Sequence, residues 1–155
     1  MRVVKRNGDA QDMLFDKVTK RIRGLCTGLE VQADKVAQKA FSDMFDGITT
    51  TQIDEISADV AIHMITEHPD YETLATRIVV SNMHKNQPKC FSDSMLILHG
   101  KGVVSDHFMK YLTIQADSWI DHERDYKFGY FGLKTLQKMY LNQGETPQYM
   151  FMRVA

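Results

Sequence analysis

The sequence predicts a mainly α-helical protein that opens with a small β-hairpin. An Asn-Gly pair, Asn7-Gly8, separates two short segments near the N-terminus, which is typical of a hairpin turn. Beyond Asp16, apolar residues recur three and four positions apart, which is the period of an amphipathic helix. The chain has 155 residues, of which 43% are hydrophobic and 25% charged. This is enough for one domain or slightly more, with a real hydrophobic core.

The charge and composition argue against several functional classes. The chain has 19 Lys and Arg against 20 Asp and Glu, and this near-neutral balance argues against a nucleic-acid-binding protein that works through phosphate contacts. No apolar run approaches the roughly 20 residues of a membrane span, and no apolar segment follows the basic N-terminus as in a signal peptide. The two cysteines, Cys26 and Cys90, form no C-x-x-C pair, and no Cys/His cluster has zinc spacing. We therefore expect a cytoplasmic protein with reduced thiols and no metal site, membrane contact or nucleic-acid partner.

The hairpin is expected to present a basic pair beside its turn. Its strands would be residues 3–4 and residues 9–14, joined by a turn in which Asn7 and Gly8 both take positive φ. Lys5 and Arg6 then lie beside the turn.

Four helices are predicted after the hairpin. Asp16 would cap the first, the second would begin near Asp34, and Thr49 with Gln52 forms a capping box for the third. Pro69 would open the fourth, since proline suits the first position of a helix. Their apolar stripes are Val18, Ile22 and Leu25; Val36, Ala37, Ala40, Phe41, Met44 and Phe45; Ile53, Ile56, Val60 and Met64; and Tyr71, Leu74, Ala75, Ile78 and Val79.

The remainder of the chain also has a helical pattern. Ser92 is expected to cap a short helix, and Ser105 a longer one that continues to Trp119. An aromatic loop over residues 125–132 would precede a helix over residues 133–142.

Several polar and aromatic residues of the first four helices and the hairpin would together suit a nucleotide. Taken singly, each has an ordinary structural meaning, such as a solvated basic pair or an acid that favours a helix start. A triphosphate, however, needs several converging cations, its ribose needs an acceptor, and its base needs an apolar slot. The cations would be Lys5, Arg6 and Lys85, the ribose acceptor Asp54, and the slot Phe15, Ala40 and the Asp16 region.

The order of several longer blocks identifies a family. From Val3 to Ala155 the chain contains, in order, the blocks VVKRNG, FDKVTKRI, GLCTGL, GITTTQID, HPDYETLATRIVVSNMHK, RDYKFGYFGLKTL and PQYMFMRVA. In these blocks and their order, the sequence resembles the large subunit of class I ribonucleotide reductase, or ribonucleoside-diphosphate reductase, in its eukaryotic and viral form.

This resemblance implies an organisation and a function. Residues 1–90 would form the ATP-cone, an allosteric domain with a hairpin and four helices, and residues 91–155 part of an all-α domain. In this family the cone binds ATP as activator and dATP as inhibitor, with Mg²⁺, to control the reduction of ribonucleotides to deoxyribonucleotides for DNA replication. The implied partners are the remainder of the large subunit, the radical-generating small subunit, and further copies of the chain that associate through the cone.

The family's motifs also imply which residues contact the effector. Departures from the pattern occur at Gln11, where an acid is common, at Asn7, where the family has Asp, and at Thr146, where a charge is lost. Carried over by position, the ATP- or dATP-binding residues would be Lys5, Arg6, Gln11, Asp12, Met13, Leu14, Phe15, Asp16, Lys17, Thr50, Asp54 and Lys85.

The thiol count bears on enzymatic activity. Radical reduction of a ribonucleotide with dithiol recharging needs about five thiols, whereas this chain has two, and the family's catalytic barrel would begin after Ala155. We therefore expect no catalytic residue, no redox cofactor and no reductase activity from this chain alone. Two alternatives stay open: a degenerate cone that acts only as a protein-interaction module, favoured by Gln11 and Thr146, or a stand-alone cone-type regulator.

Overall fold

The chain is mostly helical and carries a small sheet at its N-terminus, which confirms the predicted fold class. The structure is a computed structural model that describes residues 1–112 and 115–155. It divides into two compact units, Met1–Asn82 and Met83–Ala155, called here the first and second unit. Among the described residues, no helix combines the length and the apolar character that a bilayer crossing requires.

The sheet of the first unit has three short strands, one more than the sequence predicts. Strand β1 (Arg2–Val4) lies in the middle, antiparallel to β2 (Ala10–Asp12) and parallel to β3 (Ile48–Thr49). Val3 is paired with Gln11 on one side and with Ile48 on the other. The two residues of β3 are too few to show an alternating pattern, so only the folded chain reveals this strand.

The hairpin turn differs from the predicted one. Among the described residues only glycines have positive φ, so Asn7 does not take the conformation that we expected, whereas Gly8 has a φ of 89°. The Gly8 amide donates to the Lys5 carbonyl at 2.9 Å, and the Lys5 amide donates to the Asp9 carbonyl at 2.8 Å. This is a tight turn followed by a glycine with positive φ, the usual three-residue hairpin loop. Arg6 thereby occupies the second position of the turn.

Helix α1 begins two residues earlier than predicted. Its N-cap is Leu14, which is extended and has no capping side chain, so the predicted cap by Asp16 is wrong. Asp16 lies instead in the first turn, where a negative charge favours the helix dipole. The helices of this unit are α1 (Phe15–Arg23), α2 (Ala33–Ser42), α3 (Thr50–His63) and α4 (Asp70–Asn86), the last four residues of α4 counting with the second unit.

The core of the first unit lies between these helices. Helix α1 packs against α2, and α2 packs against α3. Phe45 was predicted as part of the α2 stripe but is 52% exposed, because α2 ends at Ser42 and the helical period stops there. Large side chains that are fully buried in this core are Ile22, Val36, Ile48, Leu74, Ile78 and Val80.

The capping box of α3 is confirmed and gives a direct stability test. The Thr49 Oγ1 atom accepts from the Gln52 amide at 3.1 Å, and Gln52 Oε1 accepts from the Thr49 amide at 3.0 Å. Thr49→Ala should lower the free energy of unfolding by about 1 kcal/mol, measured by urea denaturation. Thr49→Ser keeps the oxygen acceptor and should stay close to the wild type; equal losses in both variants would contradict a capping role.

The second unit is built from short helices around one apolar cluster. They are α5 (Phe91–Gly100), α6 (Asp106–Tyr111), α7 (Gln115–Ser118), a 3₁₀ helix (His122–Lys127), α8 (Tyr130–Met139) and α9 (Pro147–Val154). The cluster consists of Phe91, Met95, Leu98, Val104, Ala116 and Tyr149.

One of the two predicted caps of the second unit is confirmed. The Ser105 Oγ atom accepts from the Phe108 amide at 3.2 Å at the start of α6, as predicted. The predicted cap by Ser92 is wrong, because Cys90 is the N-cap of α5. The Ser92 hydroxyl instead donates to Asp117 at 2.6 Å, so a contact distant in sequence takes the place of the local one.

Two helix boundaries also differ from the prediction. The helix that begins after Ser105 does not run on to Trp119, since Leu112 is extended and ends α6; residues 113–114 of the predicted helix lie outside the described residues. The predicted aromatic loop over residues 125–132 is largely helical, because it contains the second half of the 3₁₀ helix and the first turn of α8.

Candidate functional site

A buried carboxylate held by two arginines is the main polar cluster of the first unit. Asp54, in the second turn of α3, is 6% exposed. Its Oδ1 accepts from Arg21 Nε at 3.3 Å, and its Oδ2 accepts from Arg21 Nη2 at 3.3 Å and from Arg6 Nη2 at 3.4 Å. A carboxylate can accept about four hydrogen bonds, so these three leave one position for a further donor.

Arg6 links the hairpin turn to two helices. Its Nη1 donates to the Thr50 hydroxyl at 3.3 Å, and its Nη2 donates to the Asn82 side-chain oxygen at 2.6 Å. Thr50 and Asp54 lie one turn apart on α3 and therefore face the same side. The structure thus brings together three residues that the sequence selects: Arg6, Thr50 and Asp54.

Arg21, Asn82 and Ser81 were not among the predicted site residues. Arg21 Nη2 donates to the Ser81 hydroxyl at 2.9 Å in addition to its two bonds with Asp54. A usable signal was present, because Arg21 follows the predicted residue Lys17 by one helical turn and so lies on the same face of α1.

The cluster carries an excess of positive charge with an edge open to solvent. Two guanidinium groups meet one carboxylate, and the side chains of Arg6 and Arg21 are 31% and 25% exposed, against 7% for Asp54. Lys5, which precedes Arg6 in the turn, and Lys17 are both exposed. Such an arrangement of fixed cations suits a polyanion, because guanidinium groups bind phosphate oxygens with strong charge-assisted hydrogen bonds.

The predicted base slot takes a different form. Ala40 is fully buried and cannot line a slot, so this part of the prediction is wrong. The Phe15 ring instead packs edge-to-face on Phe41 with centroids 5.5 Å apart, and Phe15 is 39% exposed. Phe15 also borders a cleft of about 510 Å³, whose other lining residues are Asp16, Thr19, Lys20, Arg23 and Asp34.

The remaining predicted residues lie on several elements. Gln11 is half-buried in β2, and the exposed Asp12 is paired with Arg2. Met13 donates its amide to the Met1 carbonyl at 3.0 Å, and Leu14 is 52% exposed before α1. Lys85 is exposed in the last turn of α4 and belongs to the second unit.

Comparison with protein-family models gives two matches. The ATP cone domain matches residues 1–86, more than half of the chain. The ribonucleotide reductase all-alpha domain matches residues 126–155. The Arg6, Arg21 and Asp54 cluster lies wholly within the first match.

Curated relatives match along the whole chain. It is 41% identical over 176 aligned residues to the ribonucleoside-diphosphate reductase large subunit of Vaccinia virus (strain Copenhagen), covering 100% of this chain and 23% of that protein. It is 42% identical over 173 residues to the ribonucleoside-diphosphate reductase large subunit of Caenorhabditis elegans, covering 99% of this chain and 22% of that protein. The chain thus spans less than a quarter of the length of these relatives. It belongs to the ATP cone family, and it joins that domain to part of the ribonucleotide reductase all-alpha domain, in keeping with its similarity to large subunits of ribonucleoside-diphosphate reductase.

Proposed function

We propose that this chain is the allosteric nucleotide-binding region of a ribonucleoside-diphosphate reductase large subunit. It binds ATP as an activator and dATP as an inhibitor, with Mg²⁺ at the phosphates, and so controls the reduction of ribonucleotides to deoxyribonucleotides. Its partners are the remainder of the large subunit, the radical-generating small subunit, and other copies of the chain. The observation that carries the proposal is the pair of arginines on the buried Asp54, next to the exposed Lys5 of the hairpin turn.

The basic turn is the best candidate for the phosphate-binding element. Lys5 is exposed, and Arg6 is held by hydrogen bonds that a phosphate group can replace, since each phosphate oxygen accepts the same N–H donors. A triphosphate then competes with Asp54 for Arg6. Arg21 keeps its own two bonds to Asp54, so the carboxylate remains paired while Arg6 turns to the ligand.

Asp54 is the best candidate for sensing the sugar. ATP and dATP differ by one ribose hydroxyl, and a protein can use this difference only through a group that hydrogen-bonds there or through a rearrangement that depends on it. The spare acceptor position of Asp54 can take a ribose hydroxyl, and its link to Arg6 joins this contact to the phosphate-binding turn.

Isothermal titration calorimetry of the 155-residue chain with ATP, dATP and AMP tests the proposal. Saturable binding of ATP and dATP that is stronger than AMP binding is the expected result. Absence of binding for all three nucleotides would overturn it and would favour the alternative of a degenerate cone that serves only as an interaction module.

The Asp54→Asn variant tests the sensing role. Allosteric sites distinguish ligands by about 1–3 kcal/mol, and we expect the difference between ATP and dATP in binding free energy to shrink towards zero while both still bind. Glu67→Gln is the matched control, because Glu67 pairs with Lys35 at 2.6 Å on an exposed part of the same unit. Unchanged discrimination in Asp54→Asn would show that another contact recognises the sugar.

A further inference from the structure

Two histidines and an aspartate converge in the second unit, and none of the three is among the predicted effector residues. One ligand atom from each of His84, His122 and Asp125 lies within 4.8 Å of the other two. The closest approach is between His84 Nε2 and Asp125 Oδ2, at 2.8 Å. The spacing of these residues in the sequence gives no hint of the cluster, because His84 lies 41 positions from Asp125.

The cluster contains polar atoms that lack the partners expected of buried groups. Asp125 is 0% exposed, and its Oδ1 has no hydrogen-bond partner among the described residues. The buried His122 Nδ1 also has none in the described part of the chain. A buried polar atom without a partner destabilises the folded state, so two of them within one cluster indicate a site for a ligand.

The local backbone explains why His122 and Asp125 act together. They are three residues apart on the 3₁₀ helix, which has three residues per turn, so their side chains project from the same face. His84 comes from the end of α4. The Tyr126 ring packs edge-on against His84 and the Tyr149 ring against His122, with centroids 5.7 and 5.8 Å apart, which fixes both imidazoles.

The cluster of His84, His122 and Asp125 is bordered by the Tyr149 ring on one side and is open to solvent on another. Burial raises the pKa of Tyr149, whose hydroxyl donates to the Pro88 carbonyl at 3.0 Å and not to the cluster. An open cleft of about 300 Å³ reaches both histidines and is otherwise lined by Pro88, Lys89 and Thr146. A small cation can therefore enter from solvent, although the positive charge of Lys89 in the cleft lining opposes its entry.

We propose that His84, His122 and Asp125 bind one Zn²⁺ ion. Two imidazole nitrogens and a carboxylate oxygen are a common zinc donor set, and three protein ligands leave a fourth tetrahedral position for water or another ligand. Zinc ligands lie about 2.0–2.2 Å from the metal, so an ion bound here replaces the His84–Asp125 hydrogen bond with one bond to each of these two side chains. By binding residues of both elements, the ion would connect the end of α4 to the 3₁₀ helix within the second unit.

Metal titration of the tag-free 155-residue chain, stripped with a chelator and kept reduced, tests this site. Calorimetry should give one Zn²⁺ per chain, and the thermal unfolding midpoint should rise with added Zn²⁺, because an ion that binds the folded state stabilises it. His122→Gln and Asp125→Asn should each weaken binding at least tenfold. The matched control is His99→Gln, since His99 forms a comparable but exposed pair with Asp106 at 2.6 Å and should leave binding unchanged.

Further readouts keep the assignment falsifiable if Asp125→Asn folds poorly. Circular dichroism checks the fold of each variant, and His122→Gln alters only a half-buried side chain. Co²⁺ substitution should give visible bands without a thiolate charge-transfer band. A thiolate band, sub-stoichiometric Zn²⁺ binding, or equal binding by wild type and a folded His122→Gln would each overturn the proposal.

Discussion

Replacing Glu145 with alanine is expected to lower the free energy of unfolding of the second unit by about 3 kcal/mol. The Glu145 side chain is fully buried and accepts from Arg153 Nε at 2.5 Å and from both the backbone and the side-chain nitrogen of Asn142 at 2.9 Å. Removing one partner of a buried ion pair costs about 3–5 kcal/mol, because the other charge stays without compensation. Because the Arg153 side chain remains 22% exposed and water can still solvate its charge, we expect the loss of unfolding free energy at the lower end of that range.

Trp119 provides a local probe for this experiment. It is the only tryptophan of the chain and lies in the second unit, so its fluorescence during urea unfolding reports on that unit. Glu123→Ala is the matched control, because Glu123 is exposed on the 3₁₀ helix and should change the unfolding free energy by less than about 0.5 kcal/mol. The loss of unfolding free energy in Glu145→Gln should lie between the losses in Glu145→Ala and Glu123→Ala. A loss below about 1 kcal/mol in Glu145→Ala would mean that the ion pair is not a main stabilising contact.

The paired replacement of Lys5 and Arg6 by alanine should weaken ATP binding roughly 100-fold or more. Hydrogen bonds to charged groups contribute about 1.5–3 kcal/mol each, and each 1.4 kcal/mol corresponds to a factor of ten in affinity. Because the outer phosphates are absent from AMP, its affinity should fall much less. Calorimetry with both nucleotides gives the ratio directly.

A second pair of cations in the same unit controls for net charge. Lys35 and Lys39 both pair with Glu67, at 2.6 and 3.5 Å, and their joint replacement by alanine removes the same charge from another surface. ATP affinity should hardly change in this control. Equal losses for ATP and AMP in the Lys5 and Arg6 double variant, or equal losses in both double variants, would show that the turn does not bind the outer phosphates.

Much of the first unit could be predicted because its signals are local. The Asn-Gly turn, the apolar period of the helices and the Thr49 capping box each involve residues only a few positions apart. The period and the capping box appear in the structure, and the turn lies where it was predicted, although Asn7 does not have the positive φ expected of it. Where local signals compete with distant partners, prediction fails. Ser92 has the chemistry of a cap, yet it bonds Asp117, which lies 25 positions away.

The candidate site was predictable only in part for the same reason. The family resemblance selects Arg6, Thr50 and Asp54 as site residues, and the structure brings these three together. Arg21 contacts Asp54 across 33 positions. Its spacing from Lys17 places it on the expected face of α1, but that spacing does not predict that Asp54 is its partner. His122 has no local signal either, since its partner His84 comes from a different helix.

The sequence separation between Arg6 and its partners determines when the basic turn can become a binding surface during synthesis. Arg6 is made before its partners Asp54 and Asn82, which follow 48 and 76 positions later. At translation rates of about 5–20 residues per second, Asn82 is added roughly 4–15 s after Arg6. Strand β3 (Ile48–Thr49) is added before Asn82, so the hairpin gains its sheet partner first, and closing such long loops is the slow part of assembly. A nascent chain that stops short of Asn82 therefore carries the turn with its positive charge but without the pocket that orients it.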